Sequence, residues 1–126
     1  MAAMDVGLST ANGLYQQAVA GTFTMEAGAA KKCADAYEDL VKNTIEPQIE
    51  KTKFLYDLEG FAGFSSSNDL KSGFEGKAVA LVKALESAKE AALQMAAAHL
   101  LAGKQIEEAD EMHQRAIDVA TKEIGN

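Results

Sequence analysis

The residues of this chain most able to perform chemistry are two histidines, an aspartate and a cysteine. His99 and His113 are predicted on one helical face, and Asp110 precedes His113 by three residues, as in half of the paired motif of di-iron bundles. A complete carboxylate-bridged site needs a second such motif on another helix and two further carboxylates. Because the sequence contains only two histidines, both predicted on one helix, we expect half-buried structural positions and no metal or other cofactor.

Catalytic apparatus of other kinds is not visible in the sequence. Cys33 lies in an apolar helical stripe, where a free thiol behaves as a small hydrophobic residue; the alternative, a reactive nucleophile, requires an activating base within reach. The sequence shows no Ser/His/Asp order, no phosphate-binding loop and no metal-ligand cluster. We therefore expect that the protein is not an enzyme.

Composition excludes further classes of function. The chain has 126 residues, is 48% hydrophobic and carries a net charge of -7, which fits one globular domain. The lysines are dispersed among carboxylates and form no basic stripe, so we expect no nucleic acid partner. No window is long and apolar enough to span a bilayer, and the first residues lack the features of a secretory signal. We expect a cytoplasmic protein without membrane insertion, or one exported without a signal peptide.

Helix-forming residues dominate, and no run alternates with the period of a strand, so the sequence predicts an all-α fold. We expect residues 1–20 to form a short N-terminal helical segment, and residues 21–126 to form a helical hairpin domain with a C-terminal helical extension. The first long helix is predicted from an N-cap at Thr24 to about Leu58. Pro47 interrupts it, which predicts a kink or a break near residues 43–46.

The second long helix is predicted from an N-cap at Ser66 or Ser67, with Asp69 in its first turn, to Ala102, and it matches the first in length, at roughly 50 Å each. Two such helices joined by about ten residues are typical of an antiparallel hairpin. Beyond Gly103 the helix is expected either to extend or to restart after a bend. We expect the pairing seam of the hairpin to consist of the apolar residues Leu70, Phe74, Leu81, Leu85, Ala88, Ala92 and Met95.

A second apolar surface is predicted beside the two stripes, consisting of Ile45, Phe54, Val82, Leu100 and Leu101. A hairpin alone cannot cover that surface. The pattern therefore favours pairing with another hairpin into a four-helix-bundle-like dimer, either with itself or with a related protein.

The turn between the two helices carries a recognisable pattern. The chain reads Gly60-Phe61-Ala62-Gly63-Phe64-Ser65-Ser66, followed by Leu70 and by Gly73-Phe74-Glu75-Gly76-Lys77-Ala78. This pattern resembles small actinobacterial proteins of the Esx-like, or Trp-X-Gly, superfamily of type VII secretion substrates and partners, with Phe61 in place of the Trp. The resemblance implies a turn motif of Phe61, Gly63 and Phe64, which forms either a recognition patch or a plug at the end of the bundle.

The resemblance also implies a function. Such proteins are helical hairpins that pair, so we expect a non-catalytic substrate, chaperone or targeting partner in type VII secretion, whose partner is itself, a related hairpin or a secreted toxin. The secretion tag of the superfamily is a Tyr followed four residues later by an acid; the matching stretch from Ile106 to Asp110 has the acid but not the Tyr. Export by a tagged partner, or retention in the cytoplasm, is therefore expected. The alternative is a non-secreted helical-bundle module that binds a small ligand or a metal.

Overall fold

The computed structural model describes residues 7–56 and 67–125, with backbone alone at 55–56, 67–71 and 123–125. Over these ranges the chain is helical and contains no strand, which confirms the all-α prediction. A π-helical segment, Val41–Ile45, joins the second and third helices. The α-helices are α1 (Leu8–Ala20), α2 (Ala27–Leu40), α3 (Glu46–Tyr56), α4 (Ser67–Ala102) and α5 (Ile106–Gly125).

Helix α4 is the centre of the molecule, and α1, α2, α3 and α5 all pack against it. Between Ala91 and Ala98 every residue except Met95 is buried. A helix that is buried nearly all round is typical of the central element of a bundle. Most of these residues are alanines, whose small side chains allow the neighbouring helices to approach closely.

The direction of each helix follows from contacts along α4. Glu46 forms an ion pair with Lys89 (Oε2 to Nζ, 3.0 Å), and Ala30 lies beside Gly103, so α2 and α3 run antiparallel to α4. This arrangement confirms the predicted long helical hairpin. Helix α5 also runs antiparallel to α4, because His113 on α5 contacts Gln94.

Pro47 does not break the first arm of the hairpin. The segment before it is π-helical, and the Glu46 amide donates to the Val41 carbonyl five residues earlier. Because Pro47 has no amide proton and its ring crowds the carbonyl of Asn43, a locally widened helix accommodates it with little loss of hydrogen bonding. The predicted site of irregularity is therefore correct, and its form is a π turn.

The N-terminus of α2 differs from the prediction. The helix begins at Ala27 with Glu26 as the extended N-cap residue, so Thr24 does not cap it. The Met25 amide instead donates to the carbonyl of Ala102 (N to O, 3.0 Å), which lies at the C-terminus of α4. A tertiary hydrogen bond to an otherwise unpaired helix-end carbonyl thus holds this segment extended.

The chain bends sharply after Ala102. Lys104 adopts a left-handed conformation (φ 64°), the Gln105 amide donates to the Leu100 carbonyl, and the Lys104 amide donates to the Leu101 carbonyl. These two bonds form a Schellman motif that ends α4. Of the two outcomes expected beyond Gly103, the structure has the restart, and α5 folds back onto α4. His99 and His113 therefore lie on different helices, and their predicted placement on one helix is wrong.

The described residues divide into two regions. We call the base the region where α1, α2 and α5 surround residues 84–102 of α4, and the arm the region of α3 with residues 67–81 of α4. In the base nearly every residue of α4 is at least half-buried, whereas between residues 72 and 81 only Ala78 is buried. The arm is therefore a two-helix extension from a four-helix base.

Candidate interaction site

One face of α4 carries a regular row of apolar side chains that is not fully covered. Phe74, Leu81, Ala88 and Met95 recur every seven residues, so they lie on the same side of the helix. We call these four residues the α4 row. Phe74, Ala88 and Met95 are half-buried, whereas Leu81 is 49% exposed. All four belong to the seam that the sequence predicts.

The base end of the α4 row forms the floor of an apolar groove of about 310 Å³. The floor consists of Ala88, Ala91, Ala92 and Met95. Because these side chains are mostly alanines, the backbone of α4 lies close to the open surface. The groove therefore offers an apolar depression that larger side chains can enter.

The walls of the groove come from two other elements. Tyr37 and Leu40 of α2, with Ile45 of the π-helical segment, form one side, and Gly7 and Thr10 close the end at the N-terminus of α1. Leu40 is 43% exposed, so the rim is apolar as well as the floor. None of the lining residues is charged, although a quarter of the chain is. An uncharged, apolar groove is typical of a surface that contacts a protein or another apolar ligand.

The rest of the predicted seam has a different role. Leu85 and Ala92 belong to or pack against the hydrophobic core, with Ala92 only 5% exposed. Leu85 lies four residues after Leu81 and packs against the core, so it contributes to the packing within this chain. The predicted seam is therefore shared between the core and the groove, since Ala92 belongs to the core and also lines the groove, and Ala88 packs against the core from the groove floor.

The second apolar surface expected beside the stripes is largely covered within the chain. Ile45 and Leu100 are buried, and Val82 and Leu101 pack against the core, so the prediction that they form an open surface is wrong. They are covered because α1, α2, α3 and α5 all pack against α4 within one chain, which the sequence pattern did not specify. Phe54 is the exception, because it is 68% exposed on the outer side of α3.

Charged residues gather on another side of the base, between α2 and α5. Arg115 of α5 forms an ion pair with Glu38 of α2 (Nη1 to Oε2, 3.1 Å), and Lys31 forms one with Glu108 (Nζ to Oε2, 3.3 Å). The hydrogen bond to Glu108 is the largest cause that raises the pKa of Lys31. These pairs are exposed, and they position α5 without forming an enclosed site.

His113 connects three helices. Its ring stacks on Tyr15 of α1, with ring centroids 4.5 Å apart and planes 10° apart. Its Nδ1 donates to Oε1 of Gln94 on α4 at 2.8 Å. Burial, and then the nearby Asp110 carboxylate, raise the pKa of the Tyr15 hydroxyl, so Tyr15 stays neutral beside His113. This arrangement anchors α1 against α4 and α5.

His99 occupies a similar structural position at the open end of the hairpin. Its ring packs edge-on against Phe23 and at a tilt against Tyr37, both at centroid distances of 5.5 Å. Its Nδ1 donates to the Met95 carbonyl at 2.7 Å. In the part of the chain that the structure describes, no group of three or more His, Cys, Asp or Glu side chains is placed to hold a metal ion. Cys33 is a half-buried free thiol.

The remaining predicted site residues cannot be placed in this surface. The turn motif, Phe61, Gly63 and Phe64, lies outside the described residues, and Leu70 is described only by its backbone within α4. Conversely, Tyr37 and Leu40 were not predicted as site residues, because both lie in the apolar stripe of the first long helix, which was expected to face the hairpin interior. Their spacing of three could have placed them together on one face of α2, but not beside a groove.

Comparison with known proteins does not assign the chain to a family. No family model matches the chain, and no curated protein or solved structure is significantly similar to it. Among the described helices, none is long and apolar enough to cross a membrane. The site must therefore be interpreted from its own geometry.

Proposed function

We propose that this chain is a non-catalytic interaction protein that acts by helix-hairpin pairing, as a substrate, chaperone or targeting partner in type VII secretion. The observation that supports this proposal best is the α4 row, which runs from an exposed Leu81 in the arm into an uncharged apolar groove in the base. A second amphipathic helix can lie along this row, as in other helix-in-groove contacts. The partner is a second copy of the chain or a related helical-hairpin protein. The alternative partner is a secreted toxin.

The secretion setting rests on the Gly-Phe pattern around residues 60–78 and on its resemblance to Esx-like proteins. In this proposal the dimer is a four-helix-bundle-like assembly of two arms. The chain acts in the cytoplasm, or it leaves the cell with a partner that carries the secretion tag.

The experiment is to compare two charge substitutions in α4, Leu81→Glu and Val79→Glu. Both residues are exposed apolar positions, and they lie two residues apart, so they point to different sides of the helix. Association should be measured by light scattering on the chain alone and by pull-down with hairpin proteins encoded beside it. We expect Leu81→Glu to abolish pairing and Val79→Glu to preserve it, with unchanged helix content in both. Unchanged association of the Leu81→Glu variant would contradict the proposal.

Leu81→Glu is a cleaner test than a substitution of Leu85, although both belong to the predicted seam. Leu85 packs against the core, so a charge at this position would also destabilise the monomer. Loss of association in a Leu85 variant would not distinguish pairing from folding.

A module that binds a small apolar ligand is the second candidate, and the groove is the observation that favours it. Its volume of about 310 Å³ lies at the lower end of the range for small-ligand sites. Replacing Ala88 by Phe would fill the floor of the groove and abolish binding of an apolar fluorescent dye. Dye binding that is unaffected by this substitution would exclude the groove as the ligand site.

A further inference from the structure

We propose that helix α1 is a displaceable cover on the base, and that the surface beneath it binds a partner helix of the same chemistry, uncharged and with a small residue on either side of an aromatic one. This surface adjoins the apolar groove but lies on the side of α4 that α1 occupies. It is therefore a second contact, in addition to the proposed pairing along the α4 row.

Helix α1 lies parallel to α4 along the base. Gly7 and Thr10, at its N-terminus, lie beside the groove floor within residues 88–95, and Phe23, just after its C-terminus, contacts His99. Its buried and half-buried residues recur every three or four positions and so share one face. They are Leu8, Ala11, Leu14, Tyr15 and Ala18.

Helix α1 is held to the base more weakly than α5 is. No residue of α1 carries a charge, so no ion pair ties it to the base, whereas Arg115 ties α5 to Glu38 of α2. The buried residues of α1 are two alanines, whereas those of α5 include Met112 and Val119, which remove more apolar surface from water. Gly13 in its interior lowers its helix propensity further. Elements with these features open locally while the rest of a protein stays folded.

The connection after α1 allows it to leave. Gly21 ends the helix in the left-handed conformation (φ 82°), which glycine adopts without the steric cost that other residues incur. Four residues later, the Met25 amide donates to the Ala102 carbonyl at the end of α4. The segment between Gly21 and Met25 is therefore a short tether, whose far end stays attached to α4 when α1 moves.

Departure of α1 would open a longer depression along α4. Thr10 lines the apolar groove, whereas Asn12 lines a smaller pocket of about 160 Å³ with Gln94 of α4 and His113 of α5. Thr10 and Asn12 are two residues apart and point to different sides of α1, so α1 separates the two cavities. Without α1 they join beside residues 88–95 of α4, in a depression that has room for a helix.

The contact face of α1 defines what a partner helix must carry. Ala11 is 0% exposed and Ala18 is 8% exposed, so each of these positions accepts only a small side chain. Tyr15, between them, stacks on His113. The Asp110 carboxylate lies near Tyr15 and disfavours an acidic residue at the same place. A fitting partner helix is therefore uncharged on this face, with small residues seven positions apart and an aromatic residue four positions after the first.

The test measures how a fluorescent peptide with the sequence of residues 7–23 binds to the full-length chain, by fluorescence anisotropy. In the wild-type chain the tethered α1 competes at a high effective concentration, so we expect weak binding. Tyr15→Ala in the chain loosens its own α1 and should strengthen binding about fivefold or more.

Two glycine substitutions give a matched comparison. Gly13→Ala places a methyl group where no other atom lies within 4 Å, stabilises α1 and should weaken peptide binding about fivefold. Gly76→Ala adds the same group at an equally open position of α4 and should leave binding unchanged. A peptide that carries Ala11→Glu should not bind, because its charge would be buried.

Equal peptide binding by the wild-type and Gly13→Ala chains overturns the inference, because binding then does not require α1 to leave. Binding of the Ala11→Glu peptide, or no binding to the Tyr15→Ala chain, also overturns it. If Tyr15→Ala does not fold, amide hydrogen exchange of the wild-type chain decides: exchange must be faster in α1 than in α4, and slower in α1 after Gly13→Ala. A common exchange rate in α1 and α4 contradicts the inference. Pairing along the α4 row is tested separately by Leu81→Glu, so either proposal can fail without the other.

Discussion

At the scale of single residues, the end of α4 needs a left-handed turn and a close approach of α2. A single glycine often provides both, but here Lys104 provides the turn and Gly103 the close approach. Lys104 adopts the left-handed conformation that turns the chain, whereas Gly103 has no positive φ. A Cβ atom on Gly103 would overlap the side chain of Ala30 and approach Cα of Ala27 at 3.4 Å. Gly103 is therefore needed for the close approach of α2 to the end of α4, and not for its conformational freedom.

Substitutions at these two neighbours should have opposite effects on stability. Gly103→Ala should lower the free energy of unfolding by about 1 to 3 kcal/mol, because the added methyl group forces α2 away from α4. Lys104→Gly should raise it by about 1 kcal/mol or less, because glycine tolerates the left-handed conformation. Urea unfolding of both variants checks this, and a neutral Gly103→Ala would show that the base can repack around the methyl group.

At the scale of elements, α1 depends on tertiary contacts. It has 13 residues, no side-chain hydrogen bond at its N-cap and a glycine in its interior, so it is marginal as an isolated helix. Its buried residues are Ala11 and Ala18, which contribute little apolar area. The stacking of Tyr15 on His113 is therefore a specific anchor of α1, and it ties α1 to both α4 and α5 through Gln94.

Removal of this aromatic ring should release α1 from the base. In Tyr15→Ala we expect amide hydrogen exchange across Leu8–Ala20 to accelerate, with a loss of about 0.5 to 1.5 kcal/mol of local stability beyond the lost burial. Tyr15→Phe retains the ring and is the matched control. Protection of α1 that persists in Tyr15→Ala would mean that the alanine contacts alone hold the helix.

At the scale of the whole molecule, charge and shape act in opposite directions. The net charge of -7 keeps copies of the chain apart, while the uncharged groove and the exposed Leu81 favour contact. The acidic surface between α2 and α5 is partly neutralised by Arg115 and Lys31. Association is therefore expected to depend on ionic strength.

Added salt should strengthen the proposed dimer. The Debye length falls from about 30 Å at 0.01 M to about 8 Å at 0.15 M, so the repulsion between two acidic copies is screened while the apolar contact is unaffected. Sedimentation at these two salt concentrations should give a lower dissociation constant at the higher one. Weaker association in salt would indicate that attractive ion pairs, and not the α4 row, hold the two copies.

The sequence by itself determined the helical class, the hairpin of two long helices and the irregularity near Pro47, whereas it left open whether the helix extends or restarts beyond Gly103. These features depend on periodicity and on residues with local conformational effects, such as proline and glycine. The heptad spacing of Phe74, Leu81, Ala88 and Met95 could also be recognised in the sequence, because residues seven apart lie on the same face of an α-helix.

Only the tertiary structure decided which apolar face stays open. Periodicity defines a stripe on each helix but not its partner, so it did not show that Leu100 and Ile45 are buried within the chain while Leu81 stays exposed. The bend at Lys104 turns α5 back onto α4 and thereby places His113 on a helix separate from His99. The direction of a chain after a turn depends on the packing of distant residues, which local spacing does not encode.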